Sequence, residues 1–386
     1  MNIIADQNIP FVEACFSSLG PVTLVGGRQV TPDLVRDADV LLVRSITKVN
    51  PDLLDGSRIK FVATATIGTE HVDQAYLASR GIGFASAPGS NANSVAEYIV
   101  AALLALGKKH KFRLEEKSIG IIGVGNVGSR VEVKCRQLGL NVVLNDPPLE
   151  RKTGDPKYRP LQEILACDFV TVHTPLTKDG PDKTFHLADA SFFAAMKGGA
   201  VFLNSSRGRV QDETALKAAM QSGKLSGVVL DVWETEPNVD PWLIRHVDLS
   251  TPHIAGYSYD GKVVGMIMIY EALCQHFGLR AEHTAQDFLP PAAITQIRLT
   301  DEQLGQKDEQ VIQDLVQQVY AINRDDFNMR DILLQPEVER GAFFDGLRKN
   351  YPIRREFQNT AVLLADPQNC LAKKLSGIGF RIKALA

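Results

Sequence analysis

Short apolar runs bounded by polar or turn residues recur through roughly the first 95 positions, at 2–5, 40–43 and 61–65. Runs this short and apolar throughout read as strands buried on both faces. Helical stretches lie between them, so the sheet is predicted to be parallel, with crossover helices on its faces. A longer helix is predicted from Ser94, because Ser94 and Glu97 stand at capping-box spacing and an apolar run, 98–106, follows. Gly107 and the basic cluster Lys108, Lys109, His110 and Lys111 mark its expected end. A second series begins at Ser118, with predicted strands at 119–122, 141–144, 169–173, 201–204 and 227–230. Strands separated by helical stretches describe a doubly wound domain. A helix over 261–276 is expected to return the chain to the first domain, which makes that domain discontinuous.

Beyond Leu289-Pro290-Pro291, which reads as a linker, the pattern changes. Ile294, Ile297 and Leu299 alternate, and Val311, Ile312, Leu315, Val316, Val319 and Tyr320 trace one helical face. The run 378–382 alternates like a strand.

A chain of 386 residues, 45% hydrophobic, exceeds one ordinary core and implies two or three domains. Its net charge of −3 comes without a basic stripe, which argues against nucleic acid as a partner. The five cysteines are odd in number and never spaced CxxC, so a disulfide framework or structural zinc is not expected and a reducing compartment is. The N-terminus lacks the pattern of a signal peptide. The apolar run 98–106 is about half of the ~20 residues a membrane span needs. The expectation is a soluble cytoplasmic protein with no membrane partner and no metal.

Chemistry enters at Gly123-Val124-Gly125-Asn126-Val127-Gly128, directly after a predicted strand and opening a helix. Gly123 permits the tight turn, Gly125 lets a pyrophosphate approach the backbone, and Gly128 lets helix and sheet pack closely. Free N–H groups at the helix start would receive the phosphates. Asp146 ends the next strand, 18 residues after Gly128, where a carboxylate can bind ribose hydroxyls and disfavour a 2′-phosphate. NAD is therefore the expected cofactor, although Arg151 and Lys152 follow closely.

Three later segments place reactive side chains just past strands: Arg207, Glu236 and His253. In open α/β sheets such loops converge outside the carboxyl ends of the strands. Arg207 offers a planar fork for a carboxylate. His253 can take a hydroxyl proton as hydride leaves carbon, and Glu236 can orient and stabilise the imidazolium. Singly, each has a plainer reading as a surface ion pair, a turn histidine or a solvated acid. Together, downstream of a dinucleotide fingerprint, they point to a dehydrogenase. His173 can line the cofactor pocket or satisfy a loop, and Asp231 can hold the nicotinamide amide.

Gly123–Gly128, His173-Thr174-Pro175-Leu-Thr177, Asn204-Ser205-Ser206-Arg207-Gly208, Leu230-Asp231-Val-Trp-Glu-Thr-Glu236-Pro237 and Thr251-Pro-His253-Ile-Ala-Gly256 resemble the D-isomer-specific 2-hydroxyacid dehydrogenase family over roughly residues 1–280. Leu42-Val-Arg44-Ser45-Ile-Thr47, Ala63-Thr-Ala-Thr66-Ile-Gly68-Thr-Glu-His71-Val-Asp73 and the C-terminal extension are similar to a branch acting on 4-phospho-D-erythronate in pyridoxal 5′-phosphate biosynthesis. The resemblance implies two doubly wound parallel-sheet domains: a substrate domain, 1–95 with 257–285, and a Rossmann NAD domain, 96–256. It also implies a C-terminal α+β dimerisation domain, 286–386. It assigns substrate to Ser45, Thr66 and Tyr257, and NAD to Asp146, Thr174, Asp231 and Gly256. Pro175, Ser205 and Ser206 stand beside these in the same segments. Arg44, just past a buried strand, is the expected phosphate clamp.

Thr64-Ala65-Thr66 stands where many family members carry a glycine-rich loop, and Ser205-Ser206 replaces a small apolar pair. These departures bear on the substrate more than on the chemistry. The rivals are another phosphorylated hydroxy acid, chiefly 3-phosphoglycerate, and a non-catalytic NAD-sensing corepressor. The C-terminal apolar residues, with Phe343, Phe344, Ile378, Phe380 and Ile382, are expected to pack against a second copy in a two-fold dimer. The alternative is packing onto the catalytic domain of the same chain. On charge alone, Arg348, Arg354 and Arg355 become candidates to reach the partner's active-site mouth.

Overall fold

The computed structural model describes residues 1–385. By internal contacts the chain divides into two units, residues 1–91 with 258–290, and residues 92–257 with 291 onward.

The first unit is built on five parallel strands, Ile3–Asp6 (β1), Val22–Val25 (β2), Val40–Val43 (β3), Phe61–Thr64 (β4) and Gly83–Ala85 (β5), in the order β2-β1-β3-β4-β5. Every residue of β1, β3 and β4 is buried. On one face the helix Tyr259–His276 packs Val263, Met266, Tyr270 and Leu273 against Ile3, Leu42 and Phe61. On the other face Leu41, Val43 and Val62 meet Leu53, Leu54 and Leu77. Cover on both faces explains why β3 is apolar throughout and why β1 and β4 are apolar up to their last residues, Asp6 and Thr64. The edge strands β2 and β5 have no fully buried residue, so they carry no such signal and were not foreseen.

The second unit holds six parallel strands: Ser118–Ile122 (β6), Asn141–Asn145 (β7), Phe169–Val172 (β8), Ala200–Asn204 (β9), Leu225–Leu230 (β10) and Leu249–Ser250 (β11). Their order, β11-β10-β9-β8-β6-β7, reverses between β6 and β8. That reversal opens a crevice at the carboxyl ends of those two strands.

The helix Ala92–His110 corrects two expectations. It begins at Ala92, and Ser94 and Glu97 are buried within it rather than forming a cap. Ser94 Oγ donates to Glu356 (2.8 Å), and Glu97 accepts from the Phe357 N–H (2.9 Å). Gly107 lies inside the helix rather than at its end.

From residue 291 the chain adds a parallel sheet of Gln296–Arg298 (β12), Ala361–Leu364 (β13) and Arg381–Ala384 (β14), with helices that include Asp308–Val319, Arg340–Lys349 and Cys370–Ile378. Ile378 closes a helix rather than opening a strand. Gly379 (φ +123°) turns the chain into β14. Val311, Ile312, Leu315, Val316, Ile378 and Phe380 are buried in one core with the 95–106 helix face and the strand residues Ile119, Ile121 and Phe169. Phe344 joins a second core with Phe202 and Trp233. The chain itself supplies the cover that these residues were expected to find on a second copy. Among the described residues no helix is long and apolar enough to cross a membrane.

Candidate active site

At the β6–β8 reversal, Gly123 turns at φ +84°, and a Cβ there would stand 2.7 Å from the His173 carbonyl oxygen. A Cβ on Gly128 would come within 2.0 Å of the Gly123 oxygen, so only glycine lets the helix Asn126–Gln137 start this close to the strand. A Cβ on Gly125 would meet nothing within 4 Å, which leaves the first helical turn open for an anion. Asn126 begins that helix and is exposed, while Val127 packs against the core. Asp146 is fixed beside the turn: Oδ2 accepts the Val124 N–H (2.7 Å), and Oδ1 caps the next helix through Leu149 N–H (3.0 Å).

Around this turn, His173 Nδ1, Thr174 Oγ1 and Ser205 Oγ are buried without a hydrogen-bond partner. Burial drives the His173 imidazole down to about 3, so it is neutral. Orphaned buried polar atoms are costly and rare, and at a strand-end crevice they suit a polar ligand. An open glycine turn, a fixed carboxylate and these groups together fit a dinucleotide. Pro175 is exposed next to them. Ser206 differs from Ser205, since its hydroxyl donates to Asn204 Oδ1 (2.8 Å).

Asn204, the last residue of β9, also donates from Nδ2 to the Arg207 carbonyl (3.0 Å) and so shapes the turn carrying Arg207. Gly208 follows because a Cβ there would stand 1.9 Å from the Trp233 oxygen. The Arg207 turn therefore lies directly on the loop that leads to Glu236. Asp231, at the end of β10, holds the next loop. Its Oδ1 accepts from Thr251 Oγ1 and the Ile254 N–H (both 2.7 Å), and Oδ2 accepts from the Ala255 N–H (3.0 Å). Trp233 Nε1 adds a bond to the Thr251 carbonyl (3.0 Å). The candidate for the nicotinamide amide is thus also the anchor of the 251–255 turn.

Within that turn His253 adopts φ +56°, a left-handed conformation that a non-glycine residue keeps only when its surroundings impose it. Its Nδ1 lies 2.7 Å from Glu236 Oε1. Burial pushes the Glu236 carboxyl up, but the charge and hydrogen bond of His253 and the charge of Arg348 outweigh it and hold the group below its ordinary value. The pair can orient an imidazole, leave Nε2 for proton transfer and stabilise the imidazolium.

The C-terminal segment reaches this loop within the same chain, where sequence reasoning had pointed its arginines towards a partner. Arg354 Nη2 donates to the Ala255 carbonyl (2.7 Å), and its guanidinium lies 4.1 Å from the Tyr320 ring centroid. Arg348 lies 5.7 Å from the ring centroid of Tyr257, which in turn meets Tyr351 edge-on at 6.0 Å. Arg355 bonds Asn359 Oδ1 (2.7 Å). Gly256 and Tyr257 are both half-buried. No periodic pattern marks Arg348 or Arg354; only the tertiary fold brings them here.

The remaining candidates lie in the first unit. Arg44 and Ser45 follow β3, beside the point where that sheet's own order reverses at β1. Arg44 Nη1 donates to the Asn8 carbonyl (3.2 Å), and Ser45 is exposed. Thr66 lies 2.7 Å from Thr64, hydroxyl to hydroxyl, and donates to the Gly68 carbonyl (3.0 Å). Thr64 also meets His71 Nε2 at 3.0 Å, and burial lowers the pKa of His71. Nothing in the local sequence pattern assigns His71 a role.

Residues 100–255 match the model for the NAD binding domain of D-isomer specific 2-hydroxyacid dehydrogenases, and residues 288–379 match a domain of unknown function, DUF3410. The chain is 47% identical over 370 residues to an erythronate-4-phosphate dehydrogenase of Salinibacter ruber, covering 94% of each chain. It is 44% identical over 382 residues to that of Escherichia coli O1:K1, covering 98% of each. Among solved structures, D-lactate dehydrogenase from Aquifex aeolicus, complexed with NAD and lactic acid, is 24% identical with a TM-score of 0.58, covering 72% of this chain and 96% of the other. The 3-phosphoglycerate dehydrogenase of Entamoeba histolytica is 22% identical with a TM-score of 0.61, covering 72% and 95%. At these identities the structures speak for the fold alone.

Proposed function

Because the chain belongs to the erythronate-4-phosphate dehydrogenases of the D-isomer-specific 2-hydroxyacid dehydrogenase family, we propose that it oxidises 4-phospho-D-erythronate at C2 to the 2-oxo acid with NAD, in pyridoxal 5′-phosphate biosynthesis. The observation that carries the chemistry is the 2.7 Å contact between His253 Nδ1 and Glu236. A carboxylate on Nδ1 fixes the tautomer that leaves Nε2 as the base. Nε2 takes the C2 hydroxyl proton, Glu236 stabilises the resulting imidazolium, and Arg207 holds the substrate carboxylate and the C2 oxygen as it becomes a carbonyl. The nicotinamide ring supplies the acceptor for the C2 hydride. Gly123, Gly125, Asn126, Val127 and Gly128 are assigned to the pyrophosphate and Asp146 to the ribose. Thr174, Pro175, Ser205, Ser206, Asp231 and Gly256 are assigned to the rest of the cofactor. Arg44, Ser45, Thr66 and Tyr257 are assigned to the substrate.

We also propose a cytoplasmic homodimer formed through the C-terminal segment. Supporting it, Phe327, Leu334, Val338 and Ile353 there are 67%, 79%, 91% and 63% exposed, unusually open for large apolar side chains. The direct test of function is NADH formation across a panel of phosphorylated hydroxy acids. The expected result is turnover of 4-phospho-D-erythronate well above 3-phosphoglycerate. A preference for 3-phosphoglycerate would overturn the substrate assignment while leaving the chemistry.

A further inference from the structure

Within the first unit, Thr66, Thr64 and His71 form a chain of hydrogen bonds whose direction is set from one end. Thr66 Oγ1 donates to the Gly68 carbonyl (3.0 Å), an oxygen that can only accept. A hydroxyl has one proton, so the 2.7 Å contact between Thr66 and Thr64 is made with the proton of Thr64. Thr64 then has none left for His71 Nε2 at 3.0 Å, and that bond requires the proton to be on the ring nitrogen. The order of donation is therefore His71 to Thr64 to Thr66. It holds for the neutral Nε2–H tautomer and for the imidazolium alike, and it excludes only the neutral Nδ1–H tautomer. Burial, opposed by the charge of Glu70, lowers the His71 pKa and favours the neutral ring.

The backbone holds both ends of the chain. The His71 carbonyl accepts the Val49 N–H (2.8 Å), and the Thr66 carbonyl accepts the Ala87 N–H (3.1 Å). Thr64, between them, is fully buried. Its register partner on β3 is Val43, so Thr66 and the pair Arg44–Ser45 follow neighbouring strands at the same end of the sheet. Thr66 Oγ1 has one lone pair occupied by Thr64, and its own proton rests on a carbonyl two residues away. That proton can swing to a ligand oxygen without disturbing the rest of the chain. Thr66 is thereby set as a donor, which suits an oxygen that can only accept.

We propose that His71 is a positioning residue for the substrate: through Thr64 it sets Thr66 as a hydrogen-bond donor to an anionic oxygen of the hydroxy acid, on its phosphate or its carboxylate. The inference rests on the assignment of Thr66 to the substrate. A hydroxyl free to turn offers a lone pair as readily as a proton, and a lone pair facing an anion repels it. Orientation fixed before binding removes that loss. No proton is transferred; the ring and the two hydroxyls keep their own.

Two measurements on the full-length enzyme test this. Long-range nitrogen–proton NMR of the imidazoles, with His71→Gln identifying the signal among the eight histidines, should find a proton on His71 Nε2. A neutral Nδ1–H ring overturns the proposal. In steady-state kinetics at saturating NAD, His71→Leu should raise KM for 4-phospho-D-erythronate about 3- to 10-fold, the size of one net hydrogen bond, with kcat nearly unchanged. Thr64→Val should do the same, and it supplies the test if His71→Leu fails to fold. His71→Gln and Thr64→Ser, which keep a donor in each place, should return KM towards its original value. In a Thr66→Val background, His71→Leu should add little. Unphosphorylated D-erythronate separates the two anions: a KM increase that disappears with it places Thr66 on the phosphate, and one that persists places it on the carboxylate. If Thr66→Val leaves KM unmoved, the assignment of Thr66 to the substrate fails and the inference with it. If Thr66→Val raises KM while His71→Leu and Thr64→Val do not, or if His71→Leu and His71→Gln raise it equally, the assignment stands and the inference is overturned.

Discussion

His253 is held at φ +56° by an N–H bond to the Asp231 carbonyl (2.7 Å) and by Asp231's hold on Ile254 and Ala255. Its backbone is thus fixed by neighbours, which leaves the side chain available for the proposed chemistry. His253→Ala should lose about 10²–10⁴-fold in kcat, with NAD binding by fluorescence titration nearly unchanged. Full turnover in that variant would remove His253 from the mechanism. Glu236→Gln should lose less and should shift the acid limb of oxidation to lower pH, because the imidazolium loses its anion. Asp146→Ala is expected to weaken NAD and narrow its advantage over NADP, read from the two dissociation constants. Gly128→Ala should abolish cofactor binding, since the added methyl would stand 2.0 Å from the Gly123 oxygen; an alanine variant with unchanged NAD affinity would contradict that packing.

The helix Ala92–His110 shows how an element can be right in kind and wrong in detail. Ser94 and Glu97 have capping-box spacing, but their side chains bond to Glu356 and Phe357 from the C-terminal segment. Burial raises the Glu97 carboxyl well above the ordinary range, with Glu356 adding to the rise and Lys134 and Arg354 opposing it. A folded-state pKa above the unfolded value means that the protonated form is the stabilised one. That contribution is full below the unfolded value and is lost as pH rises through the folded one. Urea unfolding should therefore show stability falling between about pH 4.5, the ordinary carboxylate value, and about pH 8, the value in the fold. Glu97→Gln, permanently neutral, should lose less over that interval. A parallel fall in both proteins would place the titration elsewhere.

On the scale of the molecule, residues from 291 onward share a core with the central domain, so their removal should do more than prevent association. A chain ending at Pro290 would expose the Tyr98–Leu106 face and is expected to aggregate or to melt far below the full chain. A soluble truncated protein with native stability would contradict the shared core. The proposed dimer has a separate test, because Leu334 and Val338 are exposed and outside that core. Leu334→Asp with Val338→Asp should leave the melting of the monomer fold nearly unchanged while light scattering reports a smaller species. A still dimeric double variant would place the contact elsewhere.

What lay open in the sequence was whatever one residue type or one short spacing dictates. Strands buried on both faces are apolar over most of their length. Gly123, Gly128 and Gly208 stand where a Cβ would strike backbone within 3 Å. Arg207, Glu236 and His253 each follow a strand, which identified them as candidates before any geometry. The edge strands β2 and β5 stayed hidden because half-exposed residues carry no pattern, and the run 378–382 misled because alternation across a helix end imitates a strand. The tertiary structure alone decided that Asp231, a candidate for the nicotinamide amide, also anchors the 251–255 turn, that Ser94 and Glu97 answer to Glu356 and Phe357, and that Arg348 and Arg354 meet the 251–257 loop of their own chain. These are contacts between residues about 100 or more positions apart, or between side chains in irregular segments. Such contacts are set by how packed elements bring surfaces together, and local sequence periodicity does not record them.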